Sequence, residues 1–98
     1  IILIHSKNKT PKEIFSFSKI FKKNKNFKPL VAVPSTYYKT TEKMLIENGF
    51  KIVIYANHML RASYPAMKKA AQNILKSQRS YEIEKKISSV DEVINLIK

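Results

Sequence analysis

With 98 residues, 44% of them hydrophobic, the chain can bury the core of one small domain and is too apolar to remain disordered. It has no cysteine, which excludes disulfides and thiolate metal sites and fits a reducing, cytoplasmic setting. The formal charge is +12, yet no apolar run approaches the roughly 20 residues that span a membrane.

Short β-like runs alternate with longer helical ones. Ile1 to His5 is an apolar run ending in a polar residue, too short for a signal-peptide core. Thr10-Pro11-Lys12-Glu13 reads as a helix start, with Thr10 as cap, Pro11 at the first helical position and Glu13 closing a capping box. Ile14, Phe17, Ile20 and Phe21 follow at helical spacing. Leu30 to Pro34 is a second strand, apolar and β-branched as in a parallel sheet covered on both faces. After the loop Ser35–Thr40, a short helix from about Thr41 turns Met44, Leu45 and Ile46 inward. Gly49 stands where that helix needs a left-handed residue to close.

Ile52 to Tyr55 is the third strand. The long segment after it carries Leu60, Met67, Ala70, Ala71, Ile74 and Leu75, and Pro65 interrupts it. Either a helix starts near Pro65 with Ser63 as cap, or a longer helix is kinked there. Ser89-Val90-Asp91-Glu92 is another capping box, opening a last helix with Val90, Val93, Ile94 and Ile97 on one side. The order β-α-β-α-β-α-α implies parallel strands with right-handed crossovers. The sequence opens directly on a strand, and three parallel strands leave two bare edges that a closed barrel lacks. The reading is one α/β domain over 1–98 that is part of a larger barrel; a small open α/β layer is the alternative.

In parallel α/β folds, ligands sit at the C-terminal ends of strands. Three groups occupy that position: His5-Ser6-Lys7, Pro34-Ser35-Thr36 and Tyr55-Ala56-Asn57-His58. A polar residue is also the ordinary way for a buried strand to meet solvent, so the position alone does not assign a role. Every acidic residue (Glu13, Glu42, Glu47, Glu82, Glu84, Asp91, Glu92) falls on a helix or between the last two helices. The sequence therefore offers no carboxylate pair for acid–base work and no oxygen cage for Mg²⁺. A single glycine excludes a glycine-rich phosphate loop, and His5 and His58 form no local zinc motif.

Three motifs carry a resemblance. Ile2-Leu3-Ile4-His5-Ser6-Lys7 is similar to the sixth-strand motif of the phosphoenolpyruvate mutases of the isocitrate lyase superfamily. Val33-Pro34-Ser35-Thr36-Tyr37-Tyr38-Lys39-Thr40 resembles their seventh-strand loop, including its paired tyrosines. Val53 to His58 with Leu60-Arg61-Ala62 resembles the eighth strand and its helix entry, and Ser89-Val90 with the last helix resembles the C-terminal segment. Ser35 stands where Thr is expected, Tyr55 replaces a common Trp, and Pro65 falls inside a helix that is usually unbroken.

The resemblance implies the C-terminal three βα units, about strands 6 to 8, of a (β/α)₈ TIM-type barrel, plus a terminal helix. It implies an isomerase that interconverts phosphoenolpyruvate and phosphonopyruvate, forming a carbon–phosphorus bond in phosphonate biosynthesis. His5 would be the catalytic residue, donating to the phosphoryl oxygens, with Ser6, Ser35 and Asn57 lining the substrate. Mg²⁺ would be held by acids on earlier strands, so no metal ligand falls in this chain, and the 98 residues alone would be inactive. The subunits would form homo-oligomers, with the long helical segment packing on a partner. Phosphonopyruvate hydrolase, or another carbon–carbon or carbon–phosphorus lyase of the superfamily, is the enzymatic alternative.

The non-enzymatic alternative is a small basic nucleic-acid-binding module. Against it, the positive charge is nearly all lysine, scattered through every segment, with Lys22, Lys23 and Lys25 the densest cluster. Binding to DNA or RNA is expected to be weak and to vanish at physiological salt. Fluorescence anisotropy across a salt series checks this, and sequence-selective binding that survives would favour the module.

Overall fold

Leu30, Val31 and Ala32 carry more of the fold than any other run. All three are buried, and as strand β2 (Leu30–Ala32) they pair on both sides. The structure, a computed structural model, describes residues Ile1–Ile97. β1 (Ile2–Ile4) and β3 (Phe50–Val53) flank β2, both parallel to it, in the order β1-β2-β3. This is the expected topology; β3 starts two residues earlier than the sequence suggested and ends at Val53.

The sheet has two unlike faces. Ile2, Ile4, Leu30, Ala32, Phe50 and Val53 point to one of them, where Ile14, Leu45 and Tyr37 complete the core. Helices α1 (Lys12–Phe21) and α2 (Glu42–Glu47) supply Ile14 and Leu45. The alternate residues, Leu3, Val31 and Ile52, point the other way, and Leu3 and Ile52 are 54% and 42% exposed. The β2–β3 register slips between Leu30 and Val31, so that Phe50 and Ile52 sit opposite them and Lys51 is the extra residue of a bulge.

Details of α1 depart from the sequence reading. Its buried positions are Ile14 and Ser18, with Phe15 and Phe21 half-buried, whereas Phe17 and Ile20 are exposed. Ser18 is tolerated inside because its hydroxyl donates to the carbonyl of Asn48 at the end of α2. No capping box forms. Pro11 is the N-cap, no side chain caps it, and Glu13 is committed elsewhere. α2 starts beside Thr41, whose Oγ1 accepts from the Met44 N–H at 3.2 Å as an N-cap the sequence reading had not assigned, and Gly49 closes it as expected with φ of 90°. Of its three expected inward residues, only Leu45 is buried.

Residues from His58 onward form a second unit, distinct from Ile1–Asn57. Helix α3 runs unbroken over His58–Ser77 with Pro65 inside it. Ser63 caps nothing; its hydroxyl donates to the Leu60 carbonyl at 3.0 Å. Pro65 removes one donor, but Arg61, whose carbonyl would have received it, is exposed to water. α3 has no buried residue, and Leu60, Met67 and Leu75 are 68%, 60% and 80% exposed. Gln78, in the left-handed region at φ 54°, ends it by donating its N–H to Ile74.

A short helix absent from the sequence reading, α4 (Tyr81–Glu84), follows and buries Ile83. Arg79 lies over the Tyr81 ring and pairs with Glu82 at 2.6 Å, and the hydrogen bond from its guanidinium holds the Glu82 carboxyl below its ordinary range. α5 (Val90–Ile94) is capped by Ser89, which accepts from the Glu92 N–H, and passes into a 3₁₀ turn over Asn95–Ile97. No helix among the described residues is long and apolar enough to cross a membrane.

Gly49 and Leu45 set two different costs. An added Cβ at Gly49 meets the flexible end of Lys22, which can move, so Gly49→Ala costs mainly its left-handed backbone, about 1–2 kcal/mol. Leu45→Ala empties a fully buried site and costs about 2–5 kcal/mol. Urea unfolding midpoints are expected to fall in that order, Leu45→Ala furthest.

Candidate active-site rim

Adjacent parallel strands end on the same side, so the chain leaves β1, β2 and β3 along one rim. His5 is the first residue after β1 and is exposed. Its ring lies 6.5 Å from that of Tyr37, centroid to centroid, tilted by 39°. His5 also borders an open pocket of about 320 Å³, with Ile4, Glu13, Ile14 and Phe17.

Ser6 is placed differently. It is buried at 4% exposure and its hydroxyl donates to Glu13 Oε2 at 2.6 Å. The same hydroxyl accepts the Asn8 N–H at 3.1 Å, and Asn8 Nδ2 donates to the same Glu13 oxygen at 2.8 Å. The Ser6 carbonyl accepts from Thr36 Oγ1 at 2.6 Å, joining the loop after β1 to the loop after β2. Ser6 is thus a joint between loops and lies beneath the exposed rim.

Ser35 is half-buried, and its N–H donates to the Val33 carbonyl at 2.8 Å in a tight turn. Tyr37 is fully buried; the Val33 N–H donates to its phenol oxygen at 3.3 Å, and burial pushes the phenol above its ordinary value. Asn57 is exposed in the run after β3. No hydrogen bond among the described residues ties it to His5, Ser6 or Ser35.

Two carboxylates reach the rim from helices, where the sequence reading placed them, and not from strand ends. Glu13 comes from the first turn of α1, and Glu42, from the first turn of α2, accepts from the Tyr55 phenol at 2.7 Å. Both are engaged in these bonds, and no group of three His, Cys, Asp or Glu side chains gathers among the described residues. These residues do not fit a Mg²⁺ site. The sequence held one weak signal for the Ser6 joint: a serine hydroxyl outside regular structure can accept the backbone N–H two residues on, as Ser6 does from Asn8. Nothing in the spacing marked Glu13 or Thr36 as their partners.

No family model matches the chain. It is 36% identical over 95 residues to the phosphoenolpyruvate phosphomutase of Tetrahymena pyriformis, a match covering 97% of this chain and 31% of that protein. The crystal structure of the phosphoenolpyruvate phosphomutase of Streptomyces platensis subsp. rosaceus superposes on 96% of the chain with a TM-score of 0.84 at 35% identity, covering 32% of that enzyme. The chain is homologous to a C-terminal part of phosphoenolpyruvate phosphomutase. It is also 38% identical, over 97% of its length, to 32% of the phosphonopyruvate hydrolase of Variovorax. A crystal structure of a phosphonopyruvate hydrolase with oxalate and Mg²⁺ superposes with a TM-score of 0.82. The chain spans about a third of each of these phosphomutase and hydrolase relatives.

The Tyr55–Glu42 bond predicts a titration. The carboxylate holds the phenol proton, so Tyr55 titrates above the ordinary 10.0. The folded pKa is raised, so the contribution to stability is complete below pH 10.0 and is lost as pH rises through the raised value. Absorbance of the tyrosinate band should show one tyrosine returning toward its ordinary range in Glu42→Gln.

Proposed function

We propose that this chain forms strands six to eight of a (β/α)₈ barrel, within a protein that interconverts phosphoenolpyruvate and phosphonopyruvate. The observation that carries the reading is His5, exposed at the C-terminal end of a parallel strand in a chain homologous to part of a phosphomutase. The exposed residues Leu3 and Ile52 on the second sheet face support the barrel: with the buried Val31 between them they form the kind of apolar layer that fills a barrel interior, and among the described residues β1 and β3 each have an unpaired edge for a further strand. The two units belong to that one domain over 1–98.

In the proposed reaction the phosphoryl group passes between oxygen and carbon while loosely bonded to both. The protein's work is then positioning and charge stabilisation. His5 donates an imidazole N–H to a phosphoryl oxygen as its charge changes. Ser35 and Asn57, at the other two strand ends, face the same substrate. Mg²⁺ is held outside this chain, so the 98 residues alone do not turn over substrate. The protein works in the cytoplasm as a homo-oligomer, for which the exposed Leu60, Met67 and Leu75 of α3 supply apolar surface.

The second reading is phosphonopyruvate hydrolase, which the 38% identity favours. The paired Tyr37-Tyr38 supports the mutase. ³¹P NMR of the full-length protein with phosphonopyruvate separates the two: the mutase accumulates phosphoenolpyruvate, the hydrolase releases inorganic phosphate. In the same assay His5→Ala is expected to lower turnover by about 10²–10³-fold, the usual effect of losing one donor to a developing charge. His5→Asn, which keeps a donor, should retain more. A fall in melting temperature with turnover per folded molecule intact would reduce His5 to a strand cap.

A further inference from the structure

The Ser6–Glu13–Asn8 cluster lies beside His5, yet the proposed chemistry gives it no part. We infer that Glu13 and Ser6 are positioning residues that fix His5 for the reaction proposed above, on which this inference rests. Ser6 is too buried for substrate to reach its hydroxyl, and the hydroxyl's only proton already goes to Glu13. A carboxylate can only accept hydrogen bonds and would repel a phosphonate, so Glu13 is no substrate ligand either. What the pair does is local. One oxygen, Glu13 Oε2, accepts from both Ser6 and Asn8, and Ser6 Oγ accepts from the Asn8 backbone. This ring closes the loop after β1 onto α1, while Thr36 holds the Ser6 carbonyl from the β2 side. His5 is thereby gripped on both sides, by the β1 ladder before it and by Ser6 after it. Its ring torsions are the freedom that is left, and Tyr37 stands next to the ring.

The test uses the full-length protein and four variants, Glu13→Ala, Glu13→Gln, Ser6→Ala and His5→Ala, with the double variant of Glu13→Ala and His5→Ala. Glu13→Ala and Ser6→Ala are expected to lower kcat by about 10- to 100-fold, the scale of a misplaced donor, with KM changed much less. Glu13→Gln keeps an acceptor oxygen for both donors and should recover most of that loss. If Glu13 acts through His5, adding Glu13→Ala to His5→Ala costs little further activity. A loss that multiplies on the His5→Ala background overturns the inference, as does a lower melting temperature with kcat per folded molecule unchanged. If the wild-type protein turns over neither phosphoenolpyruvate nor phosphonopyruvate, the functional reading fails, and NMR still decides the clamp. Glu13→Ala and Ser6→Ala should then remove the exchange protection of the Asn8 amide and the contact between the His5 and Tyr37 rings. Both signals unchanged would overturn it.

Discussion

The parallel pairing of β2 on both sides is the constraint from which the rest follows. Parallel neighbours cannot be joined by a tight turn, so the chain must cross back over the sheet before each new strand. Those crossings are α1 and α2, and Ile14 and Leu45 seal them on one face of the sheet. The same constraint sends every strand's exit to one edge. Polar residues far apart in sequence then meet: Thr36 reaches the carbonyl of Ser6 across 30 positions.

Strand order and direction were legible because Ile1–His5, Leu30–Pro34 and Ile52–Tyr55 are apolar runs separated by helical ones. Gly49 and Ser89 were legible because each end of a helix asks for a narrow set of residues. Glu13 misled for the same reason. It occupies a capping-box position, but two donors in the loop before α1 offer its carboxylate hydrogen bonds that a local pattern cannot show. Phe17 and Ile20 misled because spacing reports a stripe wider than the face buried against this sheet. Pro65 fits a helix start as well as a helix interior, and the solvent exposure of Arg61, which sequence alone does not give, makes the interior tolerable.

Of the four rim residues, the strand ends placed His5, Ser35 and Asn57 on the chain's exits. Burial separated Ser6 from them, since its neighbours in sequence say nothing of how deeply a loop sits. On the proposed reading the chain contributes hydrogen-bond donors and geometry, and the metal's charge comes from elsewhere in the protein. The two carboxylates that do reach the rim are already bound to Ser6, Asn8 and Tyr55. They act as internal ties and keep their negative charge close to neutral donors.

The bulge at Lys51 carries a consequence for chain length. Because Phe50 faces Leu30 and Ile52 faces Val31, Lys51 is the one residue of β3 without a counterpart on β2. Its removal would leave Phe50, Ile52 and Val53 in unbroken alternation, each on the side it already occupies. A deletion inside β1 or β2 would instead turn the residues beyond it over, exchanging core and exterior. The sheet can therefore absorb a one-residue change in length at Lys51 while its two faces keep their identities.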